Sequence, residues 1–154
     1  MSSRLVNTLR TAKPHLHSPV DDLESFYHTA QWAVAFNDGA AGGRYNGIEV
    51  QEFREMIADD RRERASSLVI SLHTVGSEVG YGPFFARSQP LLAAWRIKSL
   101  TQTQSWSDVL YNATLRGDDK EEFLRLNFLI HGYRGVGEYL ELVHEHRASL
   151  QRPV

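Results

Sequence analysis

Histidine and glutamate side chains at helical spacing are the residues of this chain best suited to chemistry. Glu24 and His28 are four residues apart, so on a helix they share one face and could supply two ligands to a metal ion. Glu141 and His144 have the Glu-x-x-His spacing that helical di-iron proteins use in pairs. The sequence therefore carries one metal hypothesis, a zinc, iron or manganese site built from inward-facing side chains: Glu24, His28, His131, Glu141 and His144.

Patterns for other kinds of catalysis are missing from the sequence. It has no Gly-x-Ser-x-Gly turn, no phosphate-binding glycine loop and no His-Glu-x-x-His motif. It also has no cysteine, which excludes thiol catalysis, disulfides and cysteine-ligated metals. A non-enzymatic protein without a cofactor is the favoured interpretation, and an enzyme or ligand-binding protein using the His and Glu side chains is the alternative.

Aromatic and arginine side chains suggest a binding surface for another protein, because Trp, Tyr and Arg dominate the energetics of interfaces. The segment Gly80 to Phe85 is predicted to be an exposed apolar loop, and Arg44 and Tyr45 lie on a second, glycine-rich loop. The same rings could instead pack in the core. The candidate partner-binding residues are Tyr81, Phe84, Phe85, Arg44, Tyr45 and Trp106.

The composition is that of an ordinary globular protein. Of 154 residues, 42% are hydrophobic and 23% are charged, and the formal net charge is −2. This balance provides no field to attract nucleic acid or an anionic membrane. No apolar run reaches about 18 residues and the first residues do not resemble a signal peptide, so we expect a cytoplasmic protein with no membrane span.

Helical periodicity dominates the first half of the chain. Residues 1–17 are predicted to form a partly ordered arm, followed by one helical domain over residues 18–150. Ser18, Pro19 and Asp21 form a helix-start signal, and a second helix is predicted from about Ile48. Residues 65–79 favour a helix, although the β-branched run near 68–73 could instead form a short extended segment.

The second half predicts two shorter helices and one long one. Residues 88–100 and 105–113 are interpreted as separate helices joined by the polar stretch 101–104, and Gly117 as a helix-ending glycine. The last helix is predicted to start at Asp118. Its broad apolar surface favours a central position, and Gly132, Gly135 and Gly137 indicate either close helix packing or a kink.

These patterns together predict an all-α fold of five to six helices around a long C-terminal helix. The predicted function is a small interaction module that binds another protein or a second copy of itself. An accessory, regulatory or inhibitory role of bacterial or phage origin fits that description.

Overall fold

The fold is all-α, as the sequence predicts. A computed structural model describes residues 18–36, 47–59, 62–75 and 83–151. Within those ranges the chain forms helices and no β-strand. A 3₁₀ turn at Gly117–Asp119 lies directly before the long helix Lys120–Glu145. None of the described helices is long and apolar enough to cross a membrane. The helices are α1 (Pro19–Phe36), α2 (Ile48–Ala58), α3 (Arg62–Val75), α4 (Pro83–Ala113), α5 (Lys120–Glu145) and α6 (Arg147–Leu150).

Helix α1 begins where the sequence predicts. The Asp21 carboxylate accepts hydrogen bonds from both the backbone N–H and the hydroxyl of Ser18, at 2.8 and 2.7 Å. This is the return half of a capping box, and it satisfies a donor that the helix start would otherwise leave without an acceptor. At the other end, the buried Arg54 of α2 donates to the carbonyl of Ala35, at 2.7 Å. Side chains therefore fix both ends of α1.

The segment near residues 68–73 is helical, so the alternative of an extended segment there is wrong. Residues 62–75 form α3, which presents Ala65 and Val69 to the core. The Val69 carbonyl also accepts a hydrogen bond from the buried amide of Gln89 on α4, at 2.8 Å. Burial against neighbouring helices outweighs the modest β-propensity of the Leu-Val-Ile run.

Residues 83–113 form a single 31-residue helix, α4, so the two predicted helices are in fact continuous. The hydroxyls of Thr101 and Thr103 donate to carbonyls one turn earlier, and the Gln102 amide donates to Glu138 of α5. The polar stretch that resembles a linker therefore satisfies its side chains without leaving the helix. Pro90 lies inside α4, which is why Ser88 to Pro90 resembles a helix start in the sequence.

The centre of the bundle is α4 rather than the C-terminal helix. α4 contacts α1, α3, α5 and α6, and it contributes to both core clusters of the described residues. One cluster joins Tyr27, Phe53, Val69, Phe85 and Leu92, and the other joins Val20, Trp106 and Val109. In α5 only Gly135 and Tyr139 are buried. The long C-terminal helix is present as predicted, but the other described helices cover only part of its broad apolar surface.

Gly135 of α5 packs tightly against side chains of both α1 and α4. A Cβ atom at Gly135 would collide with the Cδ1 atom of Leu23 and lie 3.1 Å from the Nε2 atom of Gln102. At Gly132 the nearest atom to such a Cβ is the Cβ of Pro19, at 3.5 Å, which is an ordinary contact. The helix runs unbroken through all three glycines. Close packing, rather than a kink, therefore accounts for Gly135.

We expect Gly135→Ala and Gly132→Ala to change stability in opposite directions. Each substitution gains about 1 kcal/mol of helix propensity. At Gly135 overpacking against the buried Leu23 outweighs that gain, and we expect a net loss of about 1–2 kcal/mol. At Gly132 no collision opposes the gain in helix propensity, so we expect Gly132→Ala to raise the free energy of unfolding. Urea unfolding followed by circular dichroism measures both, and a stabilising Gly135→Ala would contradict the close packing.

Candidate functional site

A cluster of charged and polar side chains is buried where α1, α3 and α4 meet. Its centre is Arg96 of α4, and around it lie Glu24 and His28 of α1 and Glu63 of α3. We refer to these four residues as the Arg96 cluster. Arg96, Glu24 and His28 are buried, whereas the Glu63 side chain is 59% exposed and opens the cluster to solvent. Three separate helices therefore bring two carboxylates, an imidazole and a guanidinium together.

The guanidinium of Arg96 bridges the two carboxylates. Its Nη1 lies 3.4 Å from Oε1 of Glu24, and its Nη2 lies 2.5 Å from Oε2 of Glu63. The guanidinium also lies 5.8 Å from the centre of the Tyr27 ring, within range of a cation–π contact. His28 Nε2 lies 3.9 Å from Glu24 Oε1. Arg96 therefore supplies the positive charge that makes burial of Glu24 tolerable.

Two tyrosines beside the Arg96 cluster have raised pKa values. Burial raises the pKa of Tyr27 to about 12, although the nearby Ser66 hydroxyl and the charge of Arg96 partly oppose the shift. Burial also raises the pKa of Tyr139, and the nearby Ser99 hydroxyl partly opposes that shift. Both phenols remain protonated at neutral pH, so neither is poised as a base.

The raised pKa of Tyr27 predicts a loss of stability at alkaline pH. Between pH 10 and 12 the unfolded chain has released a proton that the folded chain retains. The contribution of protonated Tyr27 to the free energy of unfolding is therefore complete below pH 10 and is lost as pH rises towards 12. We expect Tyr27→Phe to flatten this decline by up to about 1.4 kcal/mol per pH unit. Urea unfolding between pH 9 and 11.5 measures the slope. Tyr111→Phe, at an exposed position, should leave the slope unchanged.

The structure brings together only part of the metal set predicted from the sequence. Glu24 and His28 are neighbours, and Glu63 completes a group whose ligand atoms lie within 4.8 Å of one another. His131 instead lies against the Trp106 ring, 5.5 Å between centroids, while Glu141 and His144 are exposed on α5. Among the described residues no other group of three such side chains converges. Sequence reasoning missed Glu63 and Arg96, because only the tertiary fold brings α3 and α4 to α1.

A second polar cluster joins α4 to α5 around Glu138. Burial alone would raise the pKa of Glu138, but hydrogen bonds from Arg134 and Gln102, with the charge of Lys98, hold it below its usual range. The contacts are 2.9 Å to Arg134, 2.9 Å to Gln102 and 3.6 Å to Lys98. Close by, the indole N–H of Trp95 donates to the Tyr139 carbonyl. These contacts fix the register between the two helices.

The outward side of α5 exposes a row of large apolar side chains. We refer to this row as the apolar face of α5. Tyr133, near its middle, is 80% exposed. Most exposed apolar residues on protein surfaces are scattered, whereas these follow one another along two heptads of a single helix. The apolar face of α5 consists of Leu126, Leu129, Ile130, Tyr133, Val136 and Leu140.

A groove runs along one edge of the apolar face, between α5 and α1. Its volume is about 360 Å³ and its lining is almost entirely apolar. From α1 it is lined by Pro19, Leu23 and Phe26, and Phe26 is 64% exposed. Among the described residues, Asp22 is the one charged residue that lines it. The groove and the apolar face of α5 form one continuous surface.

The structure places the predicted partner-binding residues elsewhere. Trp106 and Phe85 are core residues, 1% and 2% exposed, so the exposure predicted for them is wrong. Phe84 is half-buried at the start of α4. Arg44, Tyr45 and Tyr81 lie outside the described residues. An exposed apolar surface is present on the described part of the chain, but the outward side of α5 forms it and not the residues predicted from the sequence.

Comparison with protein-family models, with curated proteins and with solved structures gave no match to this chain. Two features of its own fold bear on its function, the Arg96 cluster and the apolar face of α5.

Proposed function

We propose that the protein is a non-enzymatic interaction module that binds a protein partner through the apolar face of α5 and the adjoining groove. The observation that carries this function is the continuous apolar surface that α5 and α1 expose. Large exposed apolar patches mark interaction sites in soluble proteins, since they are costly to leave in water. An accessory, regulatory or inhibitory role follows from binding of this kind.

The Arg96 cluster supports this proposal by its chemistry. A guanidinium already neutralises both of its carboxylates, and the neighbouring Tyr27 is held in its protonated form. Groups arranged in this way stabilise one another rather than activate a nucleophile or a water molecule. We therefore assign the cluster to the stability of the bundle and binding to the surface of α5.

Site-specific photocrosslinking tests the proposed function. A benzoylphenylalanine introduced at Tyr133, inside the cells that make the protein, should give one discrete crosslinked adduct. The same probe at Tyr111, which is also an exposed tyrosine but lies on α4, is the matched control and should give none. Mass spectrometry of the adduct identifies the bound chain. Absence of any adduct at position 133 would refute the proposal.

The convergence of Glu24, His28 and Glu63 favours one other function, binding of a divalent cation. A cation could bind these three only if the Arg96 guanidinium moved off both carboxylates. Elemental analysis of protein purified without a tag distinguishes the two functions. Stoichiometric zinc, iron or manganese that Glu24→Gln abolishes would establish this second function, and a metal-free protein would refute it.

A further inference from the structure

We infer that the occupant of the apolar face of α5 is the same face of a second copy of the chain, packed antiparallel about a twofold axis. This inference rests on the proposed function and names its partner. Three observations carry it: the spacing of the apolar side chains, the distribution of charge along α5, and an exposed glycine beside them.

The spacing is that of a coiled-coil seam. Leu126, Leu129, Tyr133, Val136, Leu140 and Val143 follow one another at intervals of three and four residues, the a and d positions of successive heptads. In an antiparallel pair each a residue lies opposite a d residue of the other helix. A twofold axis between positions 134 and 135 then sets Tyr133 opposite the partner's Val136, and Leu126 opposite the partner's Val143. Each apolar residue of the seam then lies opposite an apolar residue of the second copy, so the face is complementary to itself.

Charge favours the antiparallel arrangement over the parallel one. The N-terminal end of α5 carries Glu121 and Glu122 in its first turn, and His144 and Arg147 lie at the C-terminal end. Glu122 and Arg147 continue the same a and d spacing, one step beyond each end of the seam. Antiparallel packing brings Glu122 of one copy opposite Arg147 of the other, although Glu141 and Glu145 also lie near the C-terminal end. Parallel packing would bring like charges together.

Gly137 provides the third observation. Nothing lies within 4 Å of the position that a Cβ atom would take at Gly137, so packing within the protomer does not explain this glycine. A glycine inside a helix costs about 1 kcal/mol relative to alanine. Gly137 lies next to Val136, near the proposed axis, where a small residue lets the backbone of a second helix approach closely.

The test is the oligomeric state of the full chain and of two matched variants. Sedimentation equilibrium should give twice the chain mass of 17.5 kDa. Tyr133→Lys places a charge at the centre of the seam and should raise the dimer dissociation constant at least ~100-fold. Tyr111→Lys makes the same change at an exposed tyrosine on α4 and should have no effect. Circular dichroism checks that both variants fold.

Orientation is tested with single cysteines, which are unambiguous probes because the natural chain has none. A mixture of Leu126→Cys and Val143→Cys proteins should form a mixed disulfide, and Leu126→Cys alone should not crosslink. The reverse result would mean parallel packing and would overturn the inference, as would a dimer that survives Tyr133→Lys. A monomer at 100 μM would also overturn it. The photocrosslink at position 133 tests the proposed function separately. An adduct with a different protein upholds the proposed function, and the absence of any adduct refutes the proposed function.

Discussion

Replacing Arg96 with methionine is expected to lower the free energy of unfolding by about 3–5 kcal/mol. The substitution keeps a long apolar side chain but removes the charge that bridges Glu24 and Glu63. Glu24 is buried and belongs to a rigid helix, so it cannot swing into water to recover its hydration. Breaking a buried ion pair by removing one partner is costly because the other charge is left uncompensated. Urea unfolding at pH 7 measures the loss.

Two further variants separate this explanation from a simple loss of packing. Glu63→Gln removes the carboxylate whose side chain is largely in solvent, and we expect a cost below about 1 kcal/mol. Combining Arg96→Met with Glu24→Leu removes both buried charges at once and should recover most of the loss. A double variant no more stable than Arg96→Met alone would show that lost packing, not the buried carboxylate of Glu24, causes the effect.

The part of the Arg96 cluster that could be predicted from sequence is the part that lies on one helix. Glu24 and His28 are neighbours because four residues make about one helical turn, and that spacing is visible in the sequence. Glu63 and Arg96 lie on two other helices, 39 and 72 residues after Glu24 in the chain. No local pattern encodes such an encounter, because it depends on how α3 and α4 pack against α1. The sequence could therefore suggest two ligands but not the arginine that neutralises them.

The C-terminal helix shows why apolar periodicity does not determine burial. Its inward side includes His131, Gly135 and Glu138, which are polar or small, whereas its outward side carries Leu126, Tyr133 and Leu140. Leu124 and Tyr139 also face inward, so large apolar side chains occur on both sides of the helix. An apolar helix surface indicates that something should cover it, but not whether the cover is a helix of the same chain or of another. The apolar periodicity of this helix is therefore compatible both with the predicted central position and with the proposed docking face.

Helix starts and stops were more predictable than helix continuity. The capping contacts of Ser18 and the positive φ of Gly117 depend on single residues that favour those positions, so the sequence identifies both. Continuity through residues 101–104 depends instead on Gln102 finding Glu138 on another helix. A polar stretch with tertiary partners resembles a linker until those partners are known.

Trp106→Ala is expected to cost about 3–5 kcal/mol of unfolding free energy, and Trp32→Ala less than about 1 kcal/mol. The two residues are of the same type and both lie within long helices, but Trp106 is 1% exposed and Trp32 is 56% exposed. Trp106 packs with Val20 and Val109, and its ring makes edge contacts with Phe128 at 6.3 Å and His131 at 5.5 Å. Removing it leaves a large cavity at the junction of α1, α4 and α5.

This comparison also tests where the binding surface lies. If Trp106 is a core residue, Trp106→Ala should lower the urea midpoint strongly, while Trp106→Phe should recover about half of the loss because a smaller ring still fills part of the site. Neither change touches Tyr133 or the other side chains of the apolar face of α5, so adduct formation at position 133 should persist in the folded Trp106→Phe protein. A Trp106→Ala variant as stable as the parent chain would mean that Trp106 is a surface residue, and the burial described for the second core cluster would be wrong.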